Sequence, residues 1–253
     1  MDARALDRKE TRQERSAWYS VRKAEAQYAR VLMAVARQCG LLVRGMGAGL
    51  DGLRHLEELL RRYAEVLRPW AAAVANRMLA DVSRRDETAW RRHGKELSRG
   101  LQAEIASAPT GAAMQALQAA QVGYITSLPL EAATRVQRLA LEAMSGGERA
   151  VTVERAIMAT GAVTASRAKL IARTEVAKAA STLVQARAEH IGSEGYIWRT
   201  AGDRRVRPLH RKLNGRYIRW DEPPIAGENG ERSHAGQIYN CRCICEPVIP
   251  EEL

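Results

Sequence analysis

At 253 residues the chain is long enough for one large domain or two modest ones with a buried core. Forty Lys and Arg against 29 Asp and Glu give a formal charge of +11, a balance that favours a polyanionic partner. Four cysteines are too few for a disulfide scaffold and point to a reducing compartment. The charged N-terminus is not a signal peptide, and the one long uncharged stretch, 105–130, is too polar to span a membrane.

Residues 7–39 predict a first helix. Trp18, Val21, Tyr28, Leu32, Val35 and Cys39 form one apolar stripe on a charged helix, with Gly40 as its stop. Cys39 continues the stripe and reads as a small core residue. The four glycines of 40–49 read as a connection, and Asp51 as the cap of the next helix. Leu53, Leu56, Leu60, Tyr63, Leu67, Trp70 and Val74 repeat at spacings of 3 and 4, with Pro69 kinking the helix or starting a new one. Helix continues to about 107. The cluster Arg84, Arg85, Arg91, Arg92 and Lys95 is either a solvated face or a binding patch.

Pro109 and Pro129 bracket a helix at 110–128, and another runs over 130–144. Ser145-Gly146-Gly147 is the soft domain boundary. A short helix over 150–160 ends at Gly161. A long one follows over 163–191, whose small residues suit burial against what comes next. After Gly192 the period changes from helical to alternating. Tyr196, Trp198 and Thr200 read as a strand, Asn214-Gly215 as a hairpin turn, RYIRW (216–220) as a second strand and 238–249 as a third. The expected class is α+β: a long, mainly α-helical region over 1–147, then a small domain over 150–253 with a short antiparallel sheet packed on a long helix.

Within the second region, RAKLIARTEVAKA (167–179), WRTAGDRRVRPLH (198–210), LNG (213–215) and HAGQIYNCRC (234–243) occur in that order. This ordered set resembles the phage Mu gpF-like family of head morphogenesis proteins, also called minor head or minor capsid proteins. The resemblance covers roughly 150–248. It implies a minor component of a tailed phage or prophage particle, present in the virion and in the host cytoplasm during assembly. Its implied partners are portal, capsid and scaffold proteins and double-stranded DNA. Two departures stand out: Ala235 follows His234 where proline is common, and Cys245 is an additional thiol.

The family's Cys/His set suggests metal binding. His210, His234, Cys241 and Cys243 would complete a tetrahedral Cys2His2 zinc site if the hairpin and third strand converge. Two residues along a strand, however, separate Cα atoms by roughly 7 Å, wider than two zinc-bound sulfurs allow. The alternative is four residues of an ordinary core. The run 203–219 holds seven basic residues against the single Asp203. Arg204, Arg205, Arg207, Arg211 and Lys212 are therefore candidates for contact with nucleic acid or an acidic partner. Arg173, Thr174 and Glu175, polar on an apolar helix, read as structural anchors, as does Asp203 through an arginine pair. Asp203, His210, Asn214 and His234 can be stretched into a metal-dependent nuclease. No HNH, P-loop, HExxH or GxSxG pattern supports an enzyme, so no catalytic residue is expected.

Overall fold

A computed structural model describes residues 21–45, 50–93, 103, 106–145 and 150–250. The elements run α1 (Val21–Gly45), α2 (Leu50–Val66), α3 (Arg68–His93), α4 (Gly111–Ser145), α5 (Ala150–Met158), α6 (Thr160–His190), β1 (Gly195–Arg199), α7 (Pro208–Leu213), β2 (Tyr217–Arg219) and β3 (Ile244–Pro247). Long helices followed by a small antiparallel sheet make the class α+β. No helix among the described residues is long and apolar enough to cross a membrane. The Trp18 end of the first predicted stripe, Lys95, and the Gly146-Gly147 breakpoint lie outside the described residues.

Two compact units interleave along the chain. One takes Ala26–Arg77 and Gln118–Ala172. Its core is built from the predicted stripes: Tyr28, Leu32, Leu56, Leu60, Ile125 and Leu128 are buried, and Cys39 is fully enclosed, its thiol pushed up to about 12 by burial. The Tyr28 hydroxyl donates to the buried Gln121 side chain at 3.0 Å, so neither polar group is left unsatisfied. Two helix stops predicted from sequence do not act as stops, and a third, Gly161, lies in the first turn of α6, the break falling instead between Met158 and Thr160. α1 runs through Gly40 to Gly45 because Gly40 serves a crossing: a Cβ on Gly161 of α6 would lie 2.9 Å from Gly40 Cα. α4 carries Pro129 inside one helix, since buried Ile125, Leu128, Ala132 and Val136 outweigh the one hydrogen bond proline removes. Pro69 does begin a helix, lying in the first turn of α3.

The other unit takes the described parts of Met1–Glu25, Met78–Leu117 and Arg173–Leu253. Its sheet has the order β2-β1-β3, with both neighbours antiparallel to β1. Tyr196 lies opposite Ile218, and Trp198 opposite Cys245. One face packs on α6 and the turn after it: Val184, Ala188 and Ile191 meet Tyr196, Trp198, Trp220 and the three clustered cysteines, with Ala89 and Trp90 of α3 completing the core. Beneath it lies a buried ion pair, Arg187 Nε to Asp86 Oδ2 at 2.6 Å, with Glu87 Oε1 3.4 Å from Arg187 Nη2.

β1 and β2 pair, but not as a tight hairpin. A loop and α7 intervene, and Asn214-Gly215 turns the chain after α7 rather than between strands. Pro208 in the first turn sets the helical φ, and His210 and Leu213 provide its buried face. The third strand is also shorter than predicted, because 238–243 curl instead of extending.

Candidate metal centre and basic cleft

α7 places His210 in the core, edge-on to Trp198 at 5.4 Å between ring centres. His210 Nε2 lies 2.9 Å from the Ala226 carbonyl, which can only accept. The proton therefore sits on Nε2, and Nδ1 presents a lone pair. That lone pair faces Cys243 Sγ at 3.4 Å and Cys241 Sγ at 3.6 Å. All three donor atoms lie within 4.8 Å of one another, and all three residues are buried. Zinc bonds of about 2.0–2.1 Å to nitrogen and 2.3 Å to sulfur, at the tetrahedral angle, set N and S about 3.6 Å apart. The donor set thus fits a thiophilic ion, with a backbone carbonyl orienting the imidazole as metal sites commonly require.

The strand-spacing objection dissolves because neither Cys241 nor Cys243 is on a strand; β3 begins at Ile244. Asn240, at φ 56°, turns the backbone into the left-handed region that asparagine tolerates, and the Cys243 N–H then donates to Cys241 Sγ at 3.3 Å. Cys241 Sγ is held well below the usual thiol range, first by the Cys243 thiol beside it, and the Cys243 thiol is pushed far up by that same neighbour and by burial. The Trp198 indole N–H is buried and makes no formal hydrogen bond, yet it favours a thiolate on Cys243.

Helix α6 holds this loop in place. Thr174 Oγ1 accepts the Asn240 N–H at 3.1 Å, and Arg173 Nη1 donates to the Asn240 side chain at 3.2 Å while its Nε bonds Glu25 at 3.1 Å. Glu175 is buried beside them. Gly236, at φ 83°, lets the preceding turn reach the helix: a Cβ there would lie 3.1 Å from the Cys243 carbonyl and 3.3 Å from the Ala177 carbonyl.

His234 does not join the three donors. Its Nε2 lies 3.1 Å from the Trp220 carbonyl and so carries the proton; its Nδ1 accepts from the Tyr196 hydroxyl at 3.2 Å. The Ala235 N–H donates in turn to the Tyr196 oxygen. Every polar atom of this chain of bonds is satisfied with a neutral imidazole, and burial lowers the His234 pKa accordingly. Cys245 also stands apart, against Ser181 and the Ala235 carbonyl, its thiol raised to about 12 by burial. Sequence reasoning missed the carbonyls of Ala226 and Trp220. Both lie in irregular segments, and the oxygen they present depends on backbone path rather than residue type.

Asp203 forks onto Arg242, with Nη2 2.7 Å from Oδ1, and accepts the Arg205 N–H at 3.0 Å. These bonds hold its carboxyl far below the usual range. Sequence reasoning also missed Arg242, whose partner Asp203 lies 39 residues away along the chain. Of the five basic candidates, Arg204, Arg205, Arg211 and Lys212 are exposed. Arg211 bonds the carbonyls of Val206 and Arg204, and Arg207 that of Tyr239. The four residues considered for a nuclease have separate partners: Asn214 accepts from Thr200, while Asp203, His210 and His234 are engaged as described. In the 84–95 cluster, Arg84 and Arg85 pair with Asp81, and Arg91 lies near Glu87.

Residues 134–246 match the family described as Phage Mu protein F like protein. An uncharacterized protein of Haemophilus influenzae is 32% identical over 136 residues, which cover 54% of this chain and 29% of that relative. The chain thus spans less than a third of that relative's length. No solved structure matches. The matched segment contains the long helix with its Arg173-Thr174 anchor, the basic loop, α7 and the cysteine loop; over residues 134–246 the chain is similar to the phage Mu protein F-like family.

Proposed function

We propose that this chain is a non-enzymatic minor head protein of a tailed phage or prophage particle. In this reading it acts in head morphogenesis, docks on the portal or inner capsid and touches packaged DNA. The observation that carries the reading is the match of the segment holding the metal-type cluster and the basic loop to the phage Mu protein F-like family. DNA contact is further supported by the exposure of Arg204, Arg205, Arg211 and Lys212 on one short stretch. The deciding experiment is co-expression with the portal, scaffold and capsid proteins of a tailed phage or prophage from the same source, followed by isolation and imaging of the particles. Incorporation that depends on portal supports the reading; heads that assemble normally and exclude the chain refute it. For the DNA arm, replacing Arg204, Arg205 and Arg207 together should weaken duplex binding and flatten its salt dependence by up to about three units. An unchanged slope removes the loop from that role.

A second reading concerns the same segment. His210, Cys241 and Cys243 clasp one zinc ion, favoured by the preset tautomer and the two nitrogen–sulfur distances. Purified protein should then hold about one zinc per chain, lost in Cys243→Ala together with much of the stability of the sheet. Metal-free protein with the same melting temperature as metal-treated protein would end this reading.

A further inference from the structure

With His234 committed to Tyr196 and Trp220, the donor set numbers three, so a tetrahedral ion keeps one position that the described residues do not fill. The three donors also line a cleft of about 70 Å³, well above the ~10–15 Å³ that admits a single water. Its other walls include Arg205, Arg207 and Arg242. A divalent ion, two thiolates and a neutral imidazole sum to zero charge. Three guanidiniums against the one carboxylate of Asp203 leave a surplus of +2. Arg242 is tied to Asp203, and Arg207 donates through Nη2 to the Tyr239 carbonyl. The Arg205 side chain is 72% exposed, 3.8 Å from Asp203. The cleft that the donors line therefore carries positive charge that the centre itself does not neutralise.

We propose that the fourth position of the ion held by His210, Cys241 and Cys243 takes an oxyanion of the phosphate class, stabilised by Arg205 and Arg207. The proposal rests on the zinc reading above. It also makes binding conditional on the ion: without metal, the oxyanion has no fourth position to fill. Free phosphate and a nucleic-acid phosphodiester present the same oxygens, so the test treats them separately.

The test uses the full chain loaded stoichiometrically with Co(II) in place of zinc. Sulfur-to-cobalt charge-transfer absorption reports thiolate ligation, and the visible d–d bands report the remaining ligand. Inorganic phosphate should shift the d–d bands saturably while leaving the charge-transfer band in place. Arg205→Ala/Arg207→Ala should raise the half-saturating phosphate concentration about tenfold or more without loss of cobalt, and Arg205→Lys/Arg207→Lys should recover part of the affinity. A shift with phosphate alone identifies free phosphate; a shift with short duplex DNA as well identifies a phosphodiester; either supports the proposal. Cobalt bound with a normal charge-transfer band but d–d bands insensitive to both probes overturns the proposal and leaves the zinc reading standing. Absence of any charge-transfer band overturns both.

Discussion

Replacing His234 by leucine separates a structural histidine from a metal ligand. The substitution leaves two buried groups without partners: the Tyr196 hydroxyl proton and the Trp220 carbonyl. Each orphaned group costs about 1–3 kcal/mol, so the loss is about 2–6 kcal/mol, a large part of the ~5–15 kcal/mol that holds a typical domain folded. Trp220 stacks on Tyr196 at 4.5 Å, so tryptophan fluorescence during urea unfolding reads this cluster. The expected result is a much lower midpoint with zinc stoichiometry unchanged under native conditions. His234→Gln, which keeps a donor and an acceptor, should recover part of the loss. A pH scan adds a signed check. Burial depresses the folded pKa of His234 below its ordinary value of 6.5, against weaker opposing pulls from the Trp220 carbonyl and then Glu189. Its contribution is therefore complete above about pH 6.5 and lost as pH falls through the depressed folded value. The acid slope should shrink in His234→Leu. A variant that loses zinc while unfolding like the parent would refute the assignment and return His234 to the ligand set.

Arg187→Met should cost about 3–5 kcal/mol in chemical denaturation by leaving Asp86 buried and uncompensated, and Asp86→Leu/Arg187→Met should recover most of it; a double variant as unstable as the single would refute the ion-pair account. Gly161→Ala would ordinarily stabilise a helix by about 0.5–1 kcal/mol, but contact with Gly40 reverses the sign, so the thermal midpoint should fall; a rise refutes the crossing. Thr174→Val removes the acceptor of the Asn240 N–H and should weaken zinc retention against a competing chelator about tenfold while helical circular dichroism stays constant; unchanged retention would show that the loop holds its shape without this bond.

The apolar stripes were legible because helix periodicity depends only on residue type and spacing. Tyr28, Leu32, Cys39, Leu56 and Leu60 are all buried as their spacing requires. The breaks were less legible. Gly40 and Pro129 carry local signals for ending a helix, and tertiary packing overrides both. α7 was missed because six residues are too few to show a period, and Asn214-Gly215 offered a competing signal. Among the candidate residues, His210, Cys241 and Cys243 come together and His234 does not. A sequence shows which side chains can bind an ion; it does not show which of them a nearby carbonyl and hydroxyl have already occupied.

The fork at Arg173 has a thermodynamic consequence. One guanidinium bonds both Glu25 near the start of α1 and Asn240, the residue before Cys241. Whatever pulls Glu25 away alters the restraint on the loop that carries two of the three donors. Coupling free energy is symmetric. If a partner engaging that end of α1 loosens the ion by some factor, the bound ion weakens that partner by the same factor. If it tightens the ion, the ion strengthens the partner equally. Filling the cluster and engaging α1 would then be two readings of a single equilibrium, measurable from either end.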